Sequence, residues 1–301
     1  MNTQSLRLFV LATETLNISA AGRTLGMAPA VASARLAKLE NLLGAELLHR
    51  STRKVSVSLE GQDFLPHARE MIAQEEAALA AFGKGKAEVS GTLRFAAPST
   101  FAQMYIAPLL PAFMDTYPDL TLDLHLSDSQ FDLIEGSYDL ALRNSVLADS
   151  SLTARKLADD TRVLCAAPEY LEKYGTPAKP CDLSAHRLVA FRDIEPRELV
   201  SADGTRAAFT PRDAVQRLIV NDGLTQTRAT LHGAGISINS LWAVHGELTK
   251  GALVRILPEY TLTDNPALWL IYPKSNVVSA KVRVFMDYLI QHIGKSAAWA
   301  Q

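Results

Sequence analysis

Residues 23–40 read "RTLGMAPAVASARLAKLE". Gly26 ends one apolar helical pattern, because a glycine just past a helix accepts the left-handed conformation that stops it. Pro29 opens the next helix, since its missing N–H costs nothing in a first turn. Ala32, Leu36, Leu39 and Leu43 then recur at helical spacing and give that helix one buried stripe. A solvated helix normally carries charged residues opposite such a stripe. Here the outward set is Ala30, Ser33, Ala34 and Ala37, which is small and nearly without polar groups.

The flanks give this pair of helices a context. Leu6, Phe9, Val10 and Thr13 share a face, predicting a first helix over about residues 3–15. Asn17 or Ser19 can cap the short helix "SAAGRTLG" by accepting from its free N–H groups. Gly44 closes the alanine-faced helix, and "AELLHRSTRKVSVSLEG" then reads as a hairpin. "ELLHR" and "VSVSL" are its arms and Ser51–Lys54 its tip. Residues 1–60 hold seven basic and four acidic side chains, a net +3, whereas the whole chain carries −2 and its remainder therefore −5. A basic end on an acidic body points to a polyanionic partner for that end.

Helix, short helix, tight turn, helix and basic hairpin make the pattern of a winged helix-turn-helix, whose second paired helix enters the DNA major groove. The plainer alternative is a small three-helix core with a solvated hairpin. Arg50, Arg53 and Lys54, clustered at the wing, favour DNA and are the candidates for phosphate or minor-groove contact. Arg35 and Lys38 flank the reading helix within reach of the backbone. Arg23, Pro29, Ala30, Ser33 and Ala34 complete the DNA-binding set; the alternative for Ser33 is a surface hydroxyl without a partner.

From Gln62 to Phe82 the chain is rich in Ala, Glu and Gln, which favours helix. Leu65, Ala68, Ile72, Glu75, Leu79 and Phe82 step by threes and fours, a heptad pattern with Glu75 as its polar interruption. That stripe is either a self-dimerising seam or the inner face of a helix packed on its own domain. "GKGKAEVSG" follows as a hinge. Beyond it, strand-like stretches ("GTLRFAAPS", "LTLDLHLS", "DLALR") alternate with helical ones ("MYIAPLLPAFMDTYP", "SQFDLIEGSY"), implying an α/β fold with parallel sheets. A second round runs from "TRVLCAAP" to "ALWLIYP". The last helix is amphipathic through Val282, Phe285, Met286, Leu289 and Ile293.

The chain has 301 residues, 48% hydrophobic and 21% charged, which is long for one core and globular in composition. No apolar run is long enough for a membrane span, and the N-terminus lacks the marks of a signal peptide. The two cysteines, Cys165 and Cys181, form no metal spacing, so the reading is a reduced, cytoplasmic protein without metal or cofactor. A redox role for either thiol is the less favoured reading. "GAG" at 233–235 lacks the third glycine of a dinucleotide fingerprint, and no nucleophile-elbow, P-loop or H-E-x-x-H motif occurs. Nothing in the chain points to catalysis.

Residues 6–61, from "LRLFVLATETLN" to "KVSVSLEG", are similar to the winged helix-turn-helix of the LysR-type transcriptional regulators. "LCAAPEYLEKYG", "VNDGLTQTRATLHGAGIS" and "GALVRILPEY" resemble stretches of that family's effector-binding domain. The resemblance implies a DNA-binding domain (1–60), a linker and dimerisation helix with hinge (61–90), and a two-lobed domain like the periplasmic binding proteins (91–301). Lobe I would comprise about 91–162 and 271–301, lobe II about 163–270, with a small-molecule effector between them. It further implies a homodimer through the linker helix, commonly a homotetramer, binding an inverted-repeat operator in double-stranded DNA, with RNA polymerase as a further partner.

Ser99, Thr100 and Phe101 follow a strand and open a helix, a place suited to an anion, although hydroxyls there often only cap the helix. Ser127, Arg143 and Asn144 end later strands, and Phe191, Asn221 and Asp222 do so in lobe II. Arg143 can bind an effector carboxylate or pair with Asp139 or Asp123, and "NDG" at 221–223 reads equally as a turn before a helix. These polar groups suit a small organic acid. The reading helix departs from the family in two places: Ala28 stands where many members have a capping serine, and Ala34 where an arginine is common. A rival reading is an α/β enzyme or solute-binding protein whose N-terminal helices form a dimerisation arm. It predicts neither the basic wing nor the helix-turn-helix spacing.

Overall fold

The computed structural model describes residues 2–50, 55–81, 89–128, 138–145, 152–191, 196–263, 266–273, 278–294 and 299. The chain divides into two compact units, residues 1–91 with 275–284, and residues 92–274 with 285–301.

In the first unit, α1 spans Thr3–Thr15, α2 Ile18–Thr24 and α3 Pro29–Leu43. Asn17 caps α2 by accepting from the Ala20 amide at 3.0 Å. Gly26 takes φ 68° in the turn, and the Met27 amide reaches back to the Gly22 carbonyl at 2.8 Å. Leu6, Phe9, Ala21, Ala32, Leu36 and Leu39 are buried in one cluster. Leu43, expected in the buried stripe, is 37% exposed, because it lies in the last turn beyond the helices that cover Leu36 and Leu39. The wing is an antiparallel pair, β1 (Leu48–Arg50) and β2 (Val55–Val57), with Leu48 opposite Val57. Its tip, Ser51–Lys54, lies outside the described residues.

Helix α4 spans Leu59–Ala81 and starts earlier than its sequence pattern, because buried Ser58 accepts from the Gly61 amide at 2.9 Å and caps it. The first half of the heptad stripe is turned inward. Leu65 and Ala68 are buried in the core of their own unit, and Ile72 packs against it. Glu75 accepts from Thr3 Oγ1 at 2.6 Å and pairs with Arg7 at 3.3 Å, both on α1. Those bonds, the one from Thr3 foremost, hold its carboxyl below the usual range. The self-packed alternative therefore describes this half of the helix, while Phe82 lies outside the described residues.

The second unit holds two five-stranded sheets and a small one. In chain order come β3 (Gly91–Ala97), α5 (Ser99–Phe101), α6 (Leu110–Thr116), β4 (Leu120–Leu126), β5 (Leu140–Ser145) and β6 (Leu152–Asp159). Residues 102–109 join α5 to α6 in wide and then tight helical turns, since Pro108 and Pro111 each remove an N–H donor. The predicted helix over "SQFDLIEGSY" falls almost wholly on residues outside the described set. Next are β7 (Arg162–Ala166), α7 (Pro168–Tyr174), β8 (Arg187–Phe191), β9 (Arg197–Ser201), β10 (Arg206–Phe209) and β11 (Gln216–Val220). The chain ends with α8 (Gly223–Leu231), β12 (Ile236–Ser240), α9 (Leu241–Thr249), β13 (Val254–Ile256), β14 (Tyr260–Leu262), β15 (Ala267–Pro273) and α10 (Ala280–Leu289).

Lobe I is the sheet β4-β3-β5-β15-β6; lobe II is β11-β8-β12-β7-β13 with the small sheet β10-β9-β14 beside it. The sheets are mixed rather than parallel. β3 runs parallel to β5, and β8 to β11 and β12, but β7 is antiparallel to β12 and β13, and β15 to β5 and β6. The reason is the double crossing: a strand arriving from the other lobe enters its sheet from the opposite end. β15 begins at Ala267, four residues before the expected return to lobe I. Among the described residues no helix is long and apolar enough to cross a membrane.

Candidate DNA-reading helix and effector cleft

Helix α3 presents Pro29, Ala30, Ala34 and Lys38 to solvent, with Ser33 half-buried and Arg23 exposed near the end of α2. Its N-cap residue, Ala28, makes no side-chain cap bond, and no acid lies in its first turn. The amide end of the helix is thus uncompensated by its own chain and open to an anion. Arg35 is engaged by its own domain, donating to Gln4 Oε1 on α1. The side chain of Arg50, and the whole of Arg53 and Lys54, lie outside the described residues.

A glycine that the sequence reading passed over sets the angle of the helix pair. A Cβ on Gly22 would stand 2.6 Å from Ala32 Cβ, inside any real carbon–carbon contact. Only a hydrogen there lets α2 lie this close to α3. A bridge from Glu40, which accepts from the Leu47 and Leu48 amides at 3.0 and 3.2 Å, ties the end of α3 to the wing.

In the second unit the expected effector residues lie at strand ends, and the side chains of Thr100, Phe101, Asn144 and Asp222 are already engaged. Asp128, just past β4, accepts from the Ser99 amide at 2.6 Å and from Thr100 Oγ1 at 3.3 Å in lobe I. The oxygen that takes the Thr100 bond, Oδ2, also accepts from the Gly223 amide at 2.8 Å in lobe II. Thr100 is buried. Phe101 is buried too, its ring edge-on to Trp242 and Trp299 with centroids 5.1 and 6.0 Å away, so it packs the lobe contact rather than lining an open cleft. Tyr105 joins them and donates to the Trp242 carbonyl at 2.6 Å; burial pushes its hydroxyl up to about 12.

The Asn144 amide is already engaged. Its amide donates to Asp160 at 2.9 Å, where Ser240 Oγ donates at 2.8 Å and Arg162 stands 3.7 Å away. This knot, centred on buried Asp160, sits at the crossing from β6 to β7. Arg143 is half-buried on β5 opposite Trp269, while Asp123 and Asp139 both meet Arg94, at 3.5 Å and through its amide at 2.9 Å. Ser127 is half-buried and its amide bonds the Ala97 carbonyl at 3.0 Å. Phe191 ends β8 half-buried, and Asn221 is exposed. Asp222 caps α8 by accepting from the Thr225 amide at 2.7 Å. Burial raises its pKa, yet the bonds from Thr225 bring it below the usual carboxylate range. Asp128, Asp160 and Tyr105 were missed because each acts on residues far away in sequence.

Cys165 is buried among Ser237 and Asn239, and burial pushes its thiol up to about 11. Such a thiol is protonated and unreactive at neutral pH. Cys181 is exposed. No group of three or more His, Cys, Asp and Glu able to hold a metal occurs among the described residues.

A winged helix-turn-helix followed by two α/β lobes linked by two crossings defines a DNA-binding protein with a ligand-binding module. Residues 3–62 match the model of the bacterial regulatory helix-turn-helix protein of the lysR family, and residues 86–294 that of the LysR substrate binding domain. The chain belongs to the LysR family: it is a DNA-binding transcriptional regulator with an effector-binding domain, not an enzyme. It is 33% identical to the transcriptional activator TtdR of Escherichia coli strain UTI89, over 95% of this chain and 89% of that protein. It is 32% identical to a helix-turn-helix regulator of Xanthomonas campestris pv. campestris, over 96% of this chain and 85% of that protein. Its fold matches CrgA, a LysR-type regulator from Neisseria meningitidis, with TM-score 0.61 and 29% identity over 98% of this chain and 99% of that one.

Proposed function

We propose that this regulator binds an inverted-repeat operator through α3 and the wing, and that a small organic acid entering between the lobes controls it. The observation that carries the DNA half is the exposed, small-residue face of α3 beside an uncapped N-terminus. Alanine methyls can lie against thymine methyls, while the bidentate pairings that arginine or asparagine make to G or A are unavailable on this face. Phosphate contacts fall to Lys38, Arg23 and the basic wing, and Arg35 would have to leave Gln4 to join them. The acid reading draws support from the Ser99 and Gly223 amides, which already hold a carboxylate, that of Asp128.

An operator of two half-sites calls for two copies of the chain. Met71 and Leu79 on α4 remain exposed for a partner. So do Leu218 and Ile219 on β11, at the edge of the lobe II sheet. These surfaces support a homodimer and, with two kinds of contact, a homotetramer.

Retention on nonspecific duplex DNA as salt rises tests the DNA half. Binding at low salt that weakens steeply with added salt is expected, because neutralised phosphates release counterions; no binding at low salt would sink the reading. Arg53→Ala should weaken all sequences alike and lower the salt slope by about 1. Ser99→Ala should leave DNA binding intact and blunt the response to effector.

A further inference from the structure

One side chain satisfies helix-opening amides from both lobes. Asp128 Oδ1 accepts from the Ser99 amide at 2.6 Å, and Oδ2 from the Gly223 amide at 2.8 Å, residues 95 apart in sequence from Asp128 in the second case. Thr100 Oγ1 adds a third donor at 3.3 Å. The lobes also meet closely here: a Cβ on Gly223 would stand 3.0 Å from Thr100 Oγ1 and 3.6 Å from Asp128 Oδ2. Among the described residues, two further links between the lobes are built in. The Asp160 knot lies on the crossing itself, and Tyr105 bonds a main-chain carbonyl amid buried rings. Asp128 differs from them. It is a half-buried side chain on a segment just past a strand, held by hydrogen bonds that another anion could accept, with the Asp222 carboxyl beside it.

We propose that Asp128 is a latch: a tethered carboxylate that occupies the cleft's anion position in the ligand-free protein and closes lobe I onto lobe II. The occupancy part rests on the reading that the effector is an acid entering between the lobes; the closure part needs no ligand. A carboxylate tethered to the protein competes at the effective concentration of a short linker, on the order of millimolar or higher. An acidic effector therefore has to displace it and gain its affinity from further contacts. The same side chain sets a charge preference, since an effector without an anionic group has nothing to offer the two amides in exchange. Displacement would separate the Ser99 and Gly223 helices by the width of whatever replaces the carboxylate. That is a change in lobe spacing driven by differential contacts rather than by distance alone.

The test uses the full chain with Asp128→Ala and Asp128→Asn. Amide hydrogen exchange without ligand is read over residues 97–103 and 221–227, with thermal melting as the check on folding. In Asp128→Ala both segments should exchange at least tenfold faster while the strands of the two sheets stay protected. Asp128→Asn keeps the shape but turns an NH2 group toward one donor, so at least one segment should speed up. Unchanged exchange in both folded variants would overturn the latch. Calorimetry with acetate and succinate then reads occupancy: at least tenfold tighter binding to Asp128→Ala is expected, and equal affinity for wild type and variant would overturn it. Binding to neither protein, with faster exchange in the variants, would leave the latch standing and remove the organic-acid reading instead.

Discussion

The proposed DNA-reading helix α3 and the proposed effector site both lie at helix N-termini, and they are built in opposite ways. The N-terminus of α3 lacks a side-chain cap, and the helix's outward face is small and exposed. The helix starts at Ser99 and Gly223 meet a carboxylate from a segment distant in sequence, and their lobes close around it. The first site is presented by one continuous element whose core face is fixed by its own neighbours. The second exists only when two lobes and three separate segments come together. In the proposed reading, a surface for a large polyanion is left unsatisfied by the protein, whereas a site for a small ligand is satisfied internally by Asp128.

Four variants would break or sharpen that contrast. Phe101→Ala should cost the most, about 3–5 kcal/mol, because it empties a fully buried ring position between Trp242 and Trp299. Thermal unfolding should show the effector unit melting earlier; an unshifted melt would mean that the lobe contact does not depend on that cluster. Gly22→Val comes next. Its Cβ overlaps Ala32 and should destabilise the first unit by about 1–3 kcal/mol. DNA affinity should fall even where the protein stays folded, since the angle between α2 and α3 changes; native affinity would show that this angle is unimportant.

Ala28→Ser supplies the missing cap acceptor and should stabilise by about 1 kcal/mol. A melting point at or below that of the parent would argue that the chain before α3 cannot take the capping geometry. The smallest effect belongs to His186, buried against Tyr170 at 3.1 Å, whose pKa burial lowers. The unfolded chain then binds its proton more readily. Stability should fall as pH drops below about 6.5, the unperturbed value, and His186→Gln should flatten that dependence. An unchanged acid limb would assign the effect to other groups.

The N-terminal fold was legible because its signals are local. Gly26, Pro29 and Gly44 mark the ends of helices within a few residues of where they act, and Ala32, Leu36 and Leu39 carry the core face at the spacing of a single helix. The heptad in α4 was legible as a stripe but not in its destination. Leu65 and Ile72 look alike whether they face α1 or a second chain, and the partner of Glu75 lies 72 residues away. In the cleft, strand ends located Ser99, Asn144 and Asn221, yet the chemistry of each turned on distant partners. Asn144 reads as a ligand group until Asp160 and Ser240 are seen to hold it. Nor does strand alternation distinguish a parallel sheet from one entered twice from the opposite end, which is why β7 and β15 run against expectation.

Selection of binding sites from random duplexes tests the central claim most directly, since it asks what the alanine face of α3 reads. The account expects half-sites centred on T·A pairs, where methyl groups meet Ala30 and Ala34, with flanks chosen for groove shape rather than by base. A fixed G·C pair at the centre of each half-site would contradict it, because none of Ala30, Ser33, Ala34 and Ala37 offers a bidentate partner for guanine.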